Sequence, residues 1–194
     1  MAVEKYIDYI DDPNDTYEEY LEKAKKYNFR CVFFDGEDLD SYQKGLEILK
    51  GTDIVLAGAI DFPEGVMSLE EKMKDFETIE KEMTTIAEFC RKNKIKDKVI
   101  VEMCKLDGDE EAKRKVCEIA LKAKPVYLKT STGRSFKGAD LNDVKLMKSI
   151  LKDAVKIKAA GGIHNYEEAK AFIDAGASAL GASAGIAIVE GESK

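Results

Sequence analysis

Short apolar or β-branched runs alternate along this chain with longer amphipathic stretches. The runs fall near residues 5–9, 30–34, 54–60, 98–102, 125–129, 155–159 and 178–182, and helical periodicity fills most of the intervals. Repeated strand–helix units predict a parallel sheet, here an α/β fold of the TIM-type (β/α) barrel class. Seven strands are one fewer than a standard barrel needs, so an incomplete or seven-stranded barrel is expected. Local signals agree with the alternation. Thr16 with Glu19 and Asn165 with Glu168 each fit a capping box, and Gly176 fits a helix stop before the last strand.

One interval breaks the rhythm. Between Asp61 and Lys98 no strand-like run occurs, while Leu69, Met73, Phe76, Met83, Ile86 and Cys90 recur at helical steps among Glu, Lys and Thr. The pattern predicts one long helix, of about 25 residues against a usual 11–12, in place of a strand–helix unit. Its apolar stripe reads as core or subunit contact rather than a cofactor box. An incomplete barrel leaves open strand edges, which are usually covered or paired. A homodimer or larger homo-oligomer is therefore expected, with the long helix at or near the interface.

Composition narrows the function classes. With 194 residues, 44% of them apolar, and only three prolines, the chain is expected to form a single domain over residues 1–194. The start MAVEKYIDYI has no basic leader before an apolar stretch, and no apolar run approaches a membrane span, so a soluble cytoplasmic protein with no membrane partner is expected. A net charge of −7 argues against nucleic acid as a partner, although a local basic pocket for a phosphate remains compatible with it. Four cysteines without a paired motif read as reduced, mostly structural thiols, and one histidine, His164, leaves little for a transition-metal site.

The candidate chemistry lies at strand ends. Lys129 closes the strand in VYLKTSTG and Lys158 the next strand in KIKAAGG, so both ammonium groups are expected at the same mouth of the sheet. Each supplies the nearby cation that favours a neutral amine on the other, as a Schiff-base nucleophile requires. A lone strand-end lysine could instead reach solvent along its own stem, but the second lysine weakens that reading. Thr130, Ser131 and Thr132 add hydroxyls for proton relay or substrate contact. Gly161 and Gly162, then Gly181 and Ser183, open the last two strand–helix loops, where phosphate commonly sits in such barrels, and Arg134 and His164 could add donors. Proton transfer at the imine needs an acid or base, for which Asp8, Asp35, Asp61 and Glu102 stand at strand ends. Asp61 and Glu102 are the leading pair because they flank the long helix.

The runs VYLKTSTG, GADLNDVKLM and VKIKAAGGIHNYEEAKAFIDAGASALGASAG, together with KVIVEMC and, more weakly, YIDYIDD, YNFRCVFF and AGAIDFPEG, resemble the deoxyribose-phosphate aldolase family of class I aldolases. The resemblance implies a strand–helix barrel that cleaves 2-deoxyribose 5-phosphate to glyceraldehyde 3-phosphate and acetaldehyde without metal or organic cofactor. It gives Lys129 the Schiff-base role and Lys158 the role of the tuning partner. Gly133, Arg134, Gly161, Gly162, Gly181 and Ser183 fall where the family surrounds the substrate phosphate. His164 stands where an arginine is usual and Ala184 where a second serine is common. A larger departure lies between Gly65 and Lys98, where the family carries a further strand with an aspartate that works with the lysines. Nothing here matches it. Two functions follow as expectations: a class I aldolase acting on a small phosphorylated sugar or aldehyde, or a non-catalytic phosphate-ester-binding relic or assembly subunit.

Overall fold

The structure is a computed structural model that describes residues 1–36, 38–58, 75–133 and 137–192. In chain order its regular elements are β1 (Ile7–Tyr9), α1 (Tyr17–Tyr27), β2 (Cys31–Phe34), α2 (Leu39–Ile48), β3 (Val55–Gly58), α3 (Phe76–Lys92), β4 (Lys98–Ile100), α4 (Glu110–Ala123), β5 (Tyr127–Lys129), α5 (Leu141–Leu151), β6 (Lys156–Ala160), α6 (Tyr166–Asp174), β7 (Ala179–Ala182) and α7 (Gly185–Gly191). This is the strand–helix alternation of a TIM-type α/β fold, and each of the seven expected strands is present, most of them one or two residues shorter at an end than the apolar run. Asp61 lies outside the described residues, as do Leu69 and Met73 of the predicted long helix.

Two compact units make up the fold: Met1–Glu64 with Ile163–Lys170 and Ala179–Lys194, and Gly65–Gly162 with Ala171–Ser178. In the first, β1 pairs in parallel with β2 on one side and β7 on the other, and β2 pairs with β3. Its core is built from Ile7, Leu21, Ala24, Phe29, Val32 and Leu180. The Tyr9 ring stacks on Phe29 at 4.6 Å and on Tyr20 at 5.3 Å. Tyr20 also bridges two strands, its hydroxyl donating to the Tyr9 carbonyl at 2.6 Å and accepting from the Phe33 N–H at 3.0 Å. Burial drives that phenol's pKa up, so it stays a donor. Helix α1 opens on the expected capping box: the Glu19 amide donates to the Thr16 hydroxyl at 3.3 Å, and the Glu19 carboxylate accepts from the Thr16 amide at 2.8 Å.

In the second unit β4, β5 and β6 pair in parallel, with Leu128 and Ile157 buried side by side at the centre. Helix α4 buries Ala112, Val116, Cys117, Ile119 and Ala120, and α5 buries Val144, Met147 and Leu151. Burial pushes the Cys117 thiol up to about 12, which makes it an inert core side chain. None of the four cysteines forms a disulfide. Helix α3 starts at Phe76, behind Asp75 as its N-cap, and runs for 17 residues, shorter than the single helix of about 25 expected; over that span it keeps the predicted stripe. Met83 and Ala87 are buried, and Phe76 packs with Val101 against Leu106, Ala112 and Val116. On its other side Phe89 is 63% exposed. No described helix is long and apolar enough to cross a membrane.

Leu128 is fully buried between its strand neighbours. Leu128→Ala is expected to lower the unfolding free energy by about 2–5 kcal/mol, measured by urea denaturation with an unchanged slope.

Candidate active site

Three strands of the second unit carry the candidate chemistry. Lys129 is the last residue of β5, whereas its register partner Lys158 lies within β6, two residues before the strand ends at Ala160, and does not close that strand as expected. Partners in a parallel pair project to the same face, so both lysines leave the sheet side by side, on strands about 4.8 Å apart. Lys158 is only 1% exposed and Lys129 is half-buried. The expected convergence of the two lysines is thus built into the strand register.

The third strand contributes Glu102, two residues beyond the end of β4. Its backbone is left-handed, with φ 37° and ψ 57°, a conformation costly for a residue with a Cβ. The turn is held on both sides: the Met103 amide donates to the Thr130 carbonyl at 2.8 Å, and the Lys105 amide to the Glu102 carbonyl at 2.9 Å. The Glu102 carboxylate accepts from the Thr132 amide at 2.7 Å, three residues past Lys129. Glu102 therefore clasps the loop that leaves the lysine. Beside it, burial and the Glu102 carboxylate push the Cys104 thiol up, so that side chain is no competing nucleophile.

The threonine–serine pair after Lys129 knits β5 to β6. Thr130 and Ser131 are buried, with their hydroxyl oxygens 3.0 Å apart; Ser131 donates to the Ala160 carbonyl at 2.9 Å, and Thr130 accepts from the Ala160 amide at 3.3 Å. The Thr130 hydroxyl, expected to meet substrate, is engaged in this link. The next loop residues approach β6 backbone to backbone. A Cβ on Gly138 would fall 2.1 Å from the Gly161 carbonyl oxygen, and one on Gly161 would fall 2.9 Å from the Cα atoms of both Gly133 and Gly138. Ala139 closes the contact by donating to the Ala160 carbonyl at 3.0 Å. Gly161 takes φ +85°, whereas a Cβ on Gly162 would meet open space.

The remaining expected residues are distributed as follows. His164, Gly181 and Ser183 belong to the first unit. His164 is exposed, and its amide donates to Glu168 at 2.7 Å, so the second predicted capping box forms with the glutamate reaching one residue further back. Gly181 is buried on β7 as the register partner of Asp8, and Ser183 is exposed just after β7. Asp8 is fully buried and ion-paired with Arg30. Arg134 lies outside the described residues.

Sequence reasoning did not single out Gly138 or a buried ion cluster behind the loops. Lys113 on α4, 8% exposed, donates to Asp143 on α5 at 2.6 Å and to Asp107 at 2.8 Å, and Lys137 reaches Asp107 at 3.4 Å. Burial works to lower the Lys113 pKa, but its bonds to the two carboxylates outweigh this and raise it. The bond from Lys113 holds the Asp107 carboxyl below the usual carboxylate range. The available signal was a lysine set among the apolar positions Ala112, Val116 and Cys117 of one helix face.

A register-paired lysine couple on adjacent strands of a TIM-type fold, with a clasped carboxylate beyond the next strand, fits the Schiff-base aldolases among the lyases. Comparison with known proteins narrows the class. A deoxyribose-phosphate aldolase of Lactobacillus acidophilus is 39% identical over 196 residues, spanning 87% of this chain and 80% of the relative. The chain also superposes on a crystal structure described as a candidate deoxyribose-phosphate aldolase from Coccidioides immitis, with a TM-score of 0.81, 24% identity, and coverage of 100% of this chain and 86% of the other. It matches a tetrameric deoxyribose phosphate aldolase from Aeropyrum pernix with a TM-score of 0.78, 23% identity, and coverage of 99% and 91%. No family model matches. The chain belongs to the deoxyribose-phosphate aldolase family. Since 87% of its 194 residues is about 169, some 27 of the 196 positions aligned with the Lactobacillus enzyme face no residue here. That shortfall is close to the roughly 30 residues of one strand–helix unit in a 250-residue barrel.

The ion cluster generates a pH prediction. The Asp107 carboxyl is depressed when folded, so its contribution to stability is present above the ordinary value of 3.8 and is lost as pH falls through the lower folded value. The wild type is therefore expected to melt above Asp107→Asn at pH 7 and at about pH 5, with the gap closing below about pH 3.8, as read by thermal melts across pH.

Proposed function

We propose that this protein is a class I aldolase that cleaves 2-deoxyribose 5-phosphate to glyceraldehyde 3-phosphate and acetaldehyde, with Lys129 as the Schiff-base nucleophile. The observation that carries the reading is the Lys129–Lys158 register pair. A charge on Lys158 at 1% exposure is costly, and a second ammonium beside it raises the cost, which favours a neutral amine in the pair. The Lys129 amine adds to the C1 aldehyde and expels water to give an iminium. The C2–C3 bond then breaks, its electron pair moving toward the iminium as an enamine while the C3 hydroxyl gives up its proton to a base. Glyceraldehyde 3-phosphate leaves, C2 is reprotonated, and water releases acetaldehyde from Lys129.

Glu102 is the proposed base within the second unit, since its carboxylate is half-buried and already bonded to the loop that follows Lys129. The same role for Asp61 rests on its position in the sequence. The exposed backbone around Gly133, Gly161 and Gly162 suits an anion. Phosphate contacts from Arg134, His164, Gly181 and Ser183 are retained on the family resemblance. We place the missing strand–helix unit ahead of β4, where the sequence pattern departs from the family. The single-domain reading is kept because the chain passes repeatedly between the two units. A cytoplasmic homo-oligomer, dimer or larger, completes the proposal, supported by the tetrameric Aeropyrum pernix aldolase and by the exposed Phe89 on α3.

Borohydride reduction in the presence of 2-deoxyribose 5-phosphate or acetaldehyde, followed by mass spectrometry, tests the central step. An adduct is expected on Lys129 and is lost in Lys129→Ala. No adduct with either compound, or one that survives the substitution, overturns the assignment.

A further inference from the structure

We infer that Lys113 and Asp107 are positioning residues that set the placement of the Lys129 loop from behind, an inference that rests on the aldolase reading. Two loops leave the sheet side by side: the one after β4 carries Glu102, and the one after β5 carries Thr130 to Gly133. They are joined at their near ends by the bond from the Thr132 amide to the Glu102 carboxylate. At their far ends, among the described residues, an ion cluster joins them. Asp107 ends the 3-10 turn Met103–Leu106 that starts from Glu102, and it takes bonds from Lys113 on α4 and from Lys137 on the second loop. Lys113 carries the link on to Asp143, in the first turn of α5, where the second loop ends.

The left-handed Glu102 therefore sits between two restraints, one at Thr132 and the other five residues downstream at Asp107. Such a conformation persists only when its surroundings over-determine it. Lys113 provides a cation that reaches two carboxylates on different elements, one of them the buried Asp143. Removing that cation frees the 3-10 turn at one end, and the strain at Glu102 is released by letting the Thr132 bond go. The loop leaving Lys129 then loses its clasp, and a misplacement of about 1 Å at a reacting group costs up to about 100-fold in rate.

Asp107→Asn, Lys113→Met and Lys113→Arg test this together. Asp107 is half exposed, so its variant removes one arm of the network without leaving a buried charge unpaired. The first measurement is amide hydrogen exchange at Thr132, which needs no activity. Exchange is expected to rise at least 10-fold in Asp107→Asn and Lys113→Met, with the β5 amides unchanged, and to return toward wild type in Lys113→Arg. The second is steady-state cleavage of 2-deoxyribose 5-phosphate, where kcat is expected to fall about 10-fold or more in the first two variants with KM within about twofold, and to recover in the arginine variant. Unchanged Thr132 exchange overturns the inference, as does a rise spread equally over β5, which marks general destabilisation. If the wild type itself fails to cleave the substrate, the aldolase reading falls, while the exchange experiment still decides whether the cluster holds the loop.

Discussion

The pairing register of β5 against β6 is the constraint on which the site depends. Side chains alternate from face to face along a strand, so a slip by one residue would send Lys129 to the opposite face from Lys158. Leu128 and Ile157, paired and buried one step before the lysines, make that slip expensive, because a slip of β5 would take Leu128 off the buried face it shares with Ile157 and put Lys129 there instead. The hydrophobic effect thus fixes a geometry that electrostatics alone would resist. The packing of Leu128 and Ile157 beneath the two lysines holds them in register.

The second unit handles its buried charges in two ways. Lys113 is surrounded by carboxylates at hydrogen-bond distance, and its charge is stabilised despite burial. Lys158 has Lys129 as its register partner. The same residue type thus meets different surroundings, a helix lysine bonded to two carboxylates and a buried strand lysine set beside a second lysine. Glu102 adds a third strategy, a carboxylate fixed by a backbone amide and by a strained turn rather than by a cation.

Much of this was legible in the sequence. All seven strands were visible as apolar runs, and the lysine pair could be placed because both lysines fall in the closing residues of consecutive runs, although Lys158 proves to lie two residues inside the end of β6. The Thr16–Glu19 capping box formed as written, since every atom it needs lies within four residues. What was not legible depends on contacts remote in sequence. Thr130 looked like a free hydroxyl beside the nucleophile, yet a partner thirty residues away, at Ala160, engages it. Lys113 was not singled out, because its place among apolar positions gains meaning only from the packing of α4 beside α5. Gly138 had no local signal at all, because the reason for it is the backbone of residue 161.

That glycine contact bears on how freely the protein can change. When a side chain is crowded by another side chain, a second substitution can make room, and pairs of positions drift together. At Gly138 and Gly161 the crowding atoms are main chain, which every residue possesses, so no replacement elsewhere in either loop restores the space. Gly162, one residue along, faces open space and needs only a residue that tolerates a left-handed backbone, such as asparagine. A library randomised across these loops would be expected to return glycine alone at the first two positions and glycine or asparagine at the third, giving the site a rigid floor beneath a slightly more tolerant rim.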